Sequence, residues 1–281
     1  MSASPRSVSA RSVSPQWDPE KYLAFADERG RPFVELVQRV PGQPATIVDL
    51  GCGPGQLTRI LRERWPSAEI IGVDSSPDMI DKAIRDNADP HVAYELADVS
   101  AWTPDLLDGG PPDTTTAGPH VDLIVSNALF QWVPDQLDVI RRLTGVTDTL
   151  AFQVPNNFDA PSHALMREVA GRSPYADHLD GVAFRKGVGA ATYLDLLAGL
   201  GWEVDAWETT YQHILHGDDA VFDWVSGTGA RPVLQALPDD LRERFEVDYK
   251  AALREAYPSR EWGTVLPFAR VFVVAQKPSA V

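Results

Sequence analysis

Three acids and three glycines carry the strongest chemical pattern in the chain. The run VDLGCGPGQ (48–56) sets Gly51, Gly53 and Gly55 on alternate positions, just after Asp49. Glycines at this spacing let backbone approach a bound molecule with no Cβ in the way. A dinucleotide fingerprint needs its third glycine at position 56, where this chain has Gln56. A carboxylate at Asp49 would repel a pyrophosphate and attract a cation, such as the amino group of an amino-acid-bearing cofactor. Both features disfavour a nicotinamide oxidoreductase. Asp74 suits ribose hydroxyls, and Asp98 suits an adenine amino group. Each alone reads as an ordinary turn or helix-cap acid. Three acids at three successive strand ends, beside a glycine loop, are a ligand site. Cys52, inside the loop, reads as a small buried filler, because a nucleophile needs a nearby base and exposure.

The elements that must position these residues follow from the apolar pattern. TIVDL (46–50) and EIIGVD (69–74) read as buried strands, HVAYELAD (91–98) as a third and VDLIVSNA (121–128) as a fourth. TDTLAFQV (147–154) is a fifth. Helices are expected at 56–65, 77–86 and from Pro134 through Leu143. Strands alternating with helices imply βαβ units and a parallel sheet with helices on both faces. Further on, 192–202 reads as a helix, 203–215 as a long strand, 239–257 as helical and VFVVAQ (271–276) as a last strand. About fifty residues separate those last two strands, and they contain DWVSGTGARP (223–232), a lone arginine behind two glycines.

Residues 1–15 are serine-rich, lack the apolar core of a secretory signal and read as a disordered tail. Residues 103–120 are rich in Gly, Pro and Thr and read as a mobile loop. The net charge of −15 argues against nucleic acid and against an anionic membrane surface. No apolar run reaches the length of a membrane span, and a single cysteine excludes an intramolecular disulfide and a cysteine metal cluster. The expectation is a cytoplasmic protein, monomeric, with a small-molecule partner and no metal.

Asp49, Gly51, Gly53 and Gly55, followed by Asp74 and Asp98, resemble the motifs of the class I S-adenosylmethionine-dependent methyltransferases. The resemblance implies a seven-stranded Rossmann-like α/β sheet whose last strand runs antiparallel, with a helical cap inserted between the last two strands. It implies S-adenosyl-L-methionine as cofactor, held by Tyr22, Asp49, Gly51, Cys52, Gly53, Gly55, Asp74, Ser75, Met79, Asp98, Val99 and Asn127. A methyltransferase domain over 16–281 would then carry substrate-cap insertions at 155–189 and 212–264.

Longer stretches, at 17–36, 126–135, 153–163, 223–232 and 266–275, resemble the trans-aconitate methyltransferase family within that class. This implies transfer of the sulfonium methyl to one carboxylate of a tricarboxylate, giving a monomethyl ester. Methylation of another small carboxylate or of a quinone precursor stays open, as does a cofactor-binding regulator without turnover. An acidic chain needs local arginines to hold a tricarboxylate, because their planar forks match carboxylates. The candidates are Arg29, Arg31, Arg231 and Arg270, with Arg231 favoured by its place behind the glycine hinge. Gln131, Trp132, His163, Trp224 and Tyr257 are candidates for walls and hydrogen bonds, and His213 and His216 read as structural. A carboxylate is ionised at pH 7, so no general base is expected. Rate would come from holding the reacting groups in line and from excluding water.

Overall fold

A computed structural model of the chain describes residues 30–104 and 120–278. Tyr22, Arg29, the tail 1–15 and most of the loop 103–120 lie outside the described residues. One seven-stranded sheet runs in the order β3-β2-β1-β4-β5-β7-β6. Its strands are β1 Thr46–Leu50, β2 Glu69–Asp74, β3 Val92–Leu96, β4 Val121–Asn127, β5 Thr147–Pro155, β6 Glu203–Leu215 and β7 Thr264–Gln276. The first five are parallel, and β7 is antiparallel to both β5 and β6. The helices are α1 Arg31–Arg39, α2 Thr58–Arg64, α3 Pro77–Asp86, α4 Gln136–Leu143, α5 Pro161–Ala170 and α6 Ala190–Gly199. Three more, α7 Ala220–Ser226, α8 Arg231–Ala236 and α9 Asp239–Ala256, lie between β6 and β7.

Neighbouring residues of each central strand face opposite sides, and both sides are apolar. Ile47, Leu123, Val125, Ala151 and Phe272 join α1 and α2 in one core. Val48, Ile124, Leu150, Phe152 and Val273 join α4 and α6 in the other. Covering both faces is what a parallel sheet requires. A third core holds α5 and α7–α9 together with Leu266 and Phe268 of β7. Phe152 is gripped edge-on by Phe130 at 5.1 Å and Tyr193 at 5.0 Å. Each such pair adds about 0.5–1.5 kcal/mol beyond burial. The first of them ties the 3-10 turn Phe130–Trp132 to the carboxyl end of β5.

Several boundaries differ from the sequence expectation for local reasons. The helix expected from 56 begins at Thr58, because Gly55 closes the glycine loop at φ +76°. β4 stops at Asn127 because Ala128 takes φ +54°, and α4 starts at Gln136 because Asp135 takes φ +50°. The third strand is shorter, at 92–96, and α6 spans 190–199 and not 192–202. β7 begins seven residues before the expected Val271. Pro267 hides that stretch from a sequence reading, since proline cannot donate to a ladder. It is tolerated because β5 pairs with β7 only from Arg270 onward, which leaves 264–268 paired on one side alone. β6 runs to Leu215, so residues 212–215 belong to the sheet and the insertion comprises 216–263. Among the described residues no helix is long and apolar enough to cross a membrane.

Candidate active site

The glycine loop leaves the carboxyl end of β1 with Gly51, Gly53 and Gly55 at φ +79°, +55° and +76°. Side-chain-bearing residues rarely adopt that region. The amides of Gly51 and Cys52 donate to the Val73 carbonyl at 2.8 and 3.0 Å, pinning the loop to β2. A Cβ on Gly51 would stand 2.9 Å from Leu129, and one on Gly55 would stand 2.6 Å from the Tyr94 hydroxyl. A Cβ on Gly53 would meet nothing within 4 Å, so the backbone there faces open space.

Asp74 accepts from the Gly53 amide and from the Ser76 amide, both at 2.9 Å, and so joins the loop to the start of α3. A carboxylate has about four lone-pair sites, so capacity for ribose hydroxyls remains. Asp49 is buried at 2 % exposure, and the Thr58 hydroxyl donates to it at 2.6 Å. Burial pushes its carboxyl up to about 6, against the Thr58 hydrogen bond and helped by the nearby negative Asp74. No cationic side chain among the described residues pairs with it. Asp98 is exposed, and the Ser100 hydroxyl and amide hold it below the usual carboxylate range. Val99 beside it is buried, while Ser75 and Met79 are exposed at the start of α3. Burial and the adjacent Asp49 push the Cys52 thiol far up, so it is no nucleophile. A buried anion below an open, Cβ-free loop suits a ligand with a cationic amino group and ribose hydroxyls. These residues therefore fit S-adenosylmethionine.

Asp49 registers with Val125, so the glycine loop and the end of β4 emerge at the same level. Beyond β4 lies a cavity of about 300 Å³. Asn127 and Ala128 form its floor, beside Pro155 of β5 and Arg270 of β7. The 3-10 turn contributes Gln131 and Trp132, α5 contributes His163, and α7 with the turn after it contributes Trp224, Thr228 and Gly229. Among the described residues the wall contains two arginines, Arg185 and Arg270, and no carboxylate.

Arg270 is 4 % exposed, and its Nη1 donates to the Gln153 side-chain oxygen at 3.0 Å. Arg185 comes from the irregular segment between α5 and α6, and its guanidinium carbon lies 3.3 Å from the centre of the Trp132 ring. Burial lowers its pKa below that of an ordinary arginine, and among the described residues no acid pairs with it. Asn157, 4 % exposed, lines the same cavity, and its Nδ2 has no hydrogen-bond partner among the described residues. A buried donor left unmade costs about 1–3 kcal/mol, and this one can serve a ligand oxygen. His163 is buried, with Phe158 edge-on at 5.4 Å and the Ser162 hydroxyl 3.3 Å from Nδ1. Burial drives its pKa down to about 4, with positive Arg167 adding to the effect, so the ring is neutral at pH 7. Gly229 packs so closely that a Cβ would stand 2.5 Å from His163 Nε2.

Other sequence candidates lie elsewhere. Arg231 is exposed at the first position of α8 and does not line the cavity. Its place follows from the helix that starts there. The residue of GTGARP that reaches the site is Gly229. Tyr257 follows α9, is buried, and accepts from the Ser162 amide at 3.0 Å. With Tyr249, which donates to the Ser162 carbonyl at 2.7 Å, it anchors α5 and hence His163. Arg31 pairs with Glu35 at 2.7 Å on the exposed side of α1. Arg185, Asn157 and Gln153 are not among the sequence candidates, and Gly229 enters there only as a glycine of the hinge. Gln153 and Asn157 do lie in the stretch 153–163 that carried the family resemblance, whereas Arg185 sits where no periodicity gives it a place.

Fold and site together define a class I methyltransferase, an enzyme that uses S-adenosylmethionine. A family model described as a methyltransferase domain matches residues 22–206. The chain is 50 % identical to a trans-aconitate 2-methyltransferase of Streptomyces avermitilis, covering 94 % of this chain and 97 % of that one. It is 43 % identical to the protein of that name from Mycobacterium tuberculosis, over 92 % and 96 %. The chain belongs to the trans-aconitate 2-methyltransferase family. A Haloferax volcanii chain solved with the Trm112 methyltransferase activator shares the fold at TM-score 0.51 and 16 % identity, covering 94 % and 95 %. The YcgJ protein of Bacillus subtilis does so at TM-score 0.51 and 11 % identity, covering 90 % and 100 %.

Proposed function

We propose that this enzyme methylates one carboxylate of trans-aconitate, leaving the monomethyl ester and S-adenosylhomocysteine. The carrying observation is the cavity at the end of β4, which, among the described residues, sets two guanidiniums and an amide donor in a wall without acids, inside a chain of net charge −15. Arg185 and Arg270 suit two carboxylates of a tricarboxylate, since bonds to charged partners are the strong ones. The names of the relatives supply trans-aconitate among such acids.

Asp49, the glycine loop, Asp74, Asp98 and Asn127 hold the cofactor. When bound, S-adenosylmethionine supplies an electrophilic methyl group. The chain's own residues bind and orient the acceptor beside it. The acceptor carboxylate is ionised at pH 7 and has no proton to lose. His163, held near 4 by burial, would be a poor base for a phenol titrating near 10. That mismatch favours a carboxylate over a quinone precursor. Apolar neighbours such as Phe158 and Trp224 exclude water, and low polarity strengthens the hold of both arginines on the acceptor. The helices α5 and α7–α9 act as a cap over the acceptor. The strong negative charge favours a cytoplasmic monomer that avoids anionic surfaces.

Transfer of a labelled methyl from S-adenosylmethionine to trans-aconitate, cis-aconitate and citrate tests this. The expected result is a methyl ester, with the highest kcat/KM on trans-aconitate. No ester on any of the three would overturn the assignment.

A further inference from the structure

Arg185 reaches the acceptor cavity from an irregular stretch in which Ala183, Phe184 and Lys186 are exposed. A long side chain on such a stretch keeps many rotamers, and holding it in one costs conformational entropy. Trp132 supplies a fixed point. It ends the 3-10 turn Phe130–Trp132, and its amide donates to the Leu129 carbonyl at 2.8 Å. Phe130 of the same turn packs edge-on against buried Phe152. The Arg185 guanidinium carbon lies 3.3 Å from the centre of the indole. At that distance the two planes must lie face to face, because an edge-on guanidinium would drive a nitrogen into the ring. A guanidinium carries its five N–H donors in its own plane. Stacked flat, it directs them along the ring face and not into it, where they can meet a carboxylate.

We propose that Trp132 is a positioning residue that holds the Arg185 guanidinium by its ring face, fixing the direction of the cation without cancelling its charge, so that it meets a carboxylate of the acceptor. The proposal rests on the carboxylate-acceptor function proposed above. A ring face attracts a cation through its quadrupole and carries no net charge. An acid in that place would hold Arg185 more strongly, but it would compete with the acceptor for the same donors. Among the described residues no acid pairs with Arg185, and burial is what lowers its pKa. Tryptophan is the best ring for this contact and phenylalanine a weaker one, while leucine fills space without it. The three side chains therefore grade the hold on Arg185.

A double-mutant cycle on kcat/KM for trans-aconitate, at saturating S-adenosylmethionine, tests this. Trp132→Phe and Trp132→Leu are made in the wild type and in Arg185→Ala, and the affinity for S-adenosylhomocysteine is measured beside them. Trp132→Leu is expected to lose about 3- to 30-fold, the range of cation–π contacts from exposed to desolvated sites. The loss should fall mainly on KM, and Trp132→Phe should lose less. In Arg185→Ala the same two changes should cost less than about twofold, because the cation they hold is gone. Affinity for S-adenosylhomocysteine should stay within about twofold throughout, since Trp132 is 45 % exposed and its replacement leaves the core intact. A wall that only fills space would lose as much with Arg185 absent as with it present. That result overturns the proposal alone, as does a Trp132→Leu enzyme equal to wild type. A wild type that transfers no methyl to trans-aconitate overturns the acceptor assignment and the proposal together. Should Trp132→Leu not fold, Trp132→Phe is judged by the same comparison between backgrounds. If Arg185→Ala abolishes turnover, the Nε–H proton resonance of Arg185 decides, assigned by its absence from Arg185→Ala. It should lie upfield in wild type through the ring current of the indole and move downfield in Trp132→Leu, or in Trp132→Phe to a smaller extent. The same position in wild type and variant overturns the proposal.

Discussion

Replacing Asp49 by asparagine should stabilise the free enzyme and weaken its hold on the cofactor. Folding at pH 8 buries an ionised carboxylate, because Asp49 is charged in the unfolded chain and has no cationic side chain beside it among the described residues. A carboxyl raised from 3.8 to about 6 makes the ionised form about 3 kcal/mol more costly than in water. The folded state binds the proton more tightly than the unfolded state, so this cost grows as pH rises from about 4 to about 6 and is complete above that. Asparagine keeps an oxygen for the Thr58 hydroxyl but adds an NH₂ group, whose burial costs about 1–2 kcal/mol if unpartnered. The net expectation at pH 8 is a gain of about 1–2 kcal/mol in stability. Removing the negative charge opposite the cofactor's ammonium should weaken binding by about 150- to 700-fold, since opposite charges about 4–5 Å apart at an effective dielectric near 20 attract by about 3–4 kcal/mol. Denaturant titration at pH 4 and 8, with calorimetry of S-adenosylhomocysteine at pH 8, reads both quantities. A variant less stable than wild type at both pH values, or one that binds S-adenosylhomocysteine normally, would refute the reasoning.

Other variants separate the acceptor wall from the scaffold. Arg185→Ala should raise the KM for trans-aconitate by about 10- to 100-fold, the worth of a charge-assisted hydrogen bond, and leave cofactor affinity near normal. Steady-state kinetics in both substrates shows whether the effect stays on the acceptor side. Gly229→Ala would drive a Cβ to 2.5 Å from His163 Nε2. It should cost about 1–3 kcal/mol of stability by overpacking, measured by denaturation, with poorer acceptor binding. Arg231→Ala removes an exposed side chain outside the cavity. It should change stability by no more than about 0.5 kcal/mol and leave the acceptor KM unaltered.

The cofactor half was legible because its chemistry needs backbone at fixed positions. Glycines at 51, 53 and 55 take positive φ, and the strands that carry Asp49 and Asp74 are short apolar runs whose ends the sequence marks. The acceptor half depends on which side chains converge across distant elements. Arg270 was a candidate from its strand, but the start of that strand was hidden by Pro267, whose missing donor is harmless where it faces the side that β5 leaves unpaired. Arg185 belongs to an irregular segment where neither a period of 3.6 nor one of 2 gives a direction. The glycines of GTGARP did mark a close backbone approach, but the approach is made by Gly229 to His163, while Arg231 opens a helix at the surface.

The central claim is that a cationic cavity, and no base, drives transfer to an already ionised oxygen. The pH dependence of kcat/KM for trans-aconitate between pH 7 and 9, at saturating S-adenosylmethionine, tests it most directly. The account predicts a flat profile, because the acceptor is ionised, His163 is neutral throughout and the arginines stay charged. A rise of about tenfold per pH unit that vanishes in His163→Ala would contradict it, since that slope marks one group losing a proton.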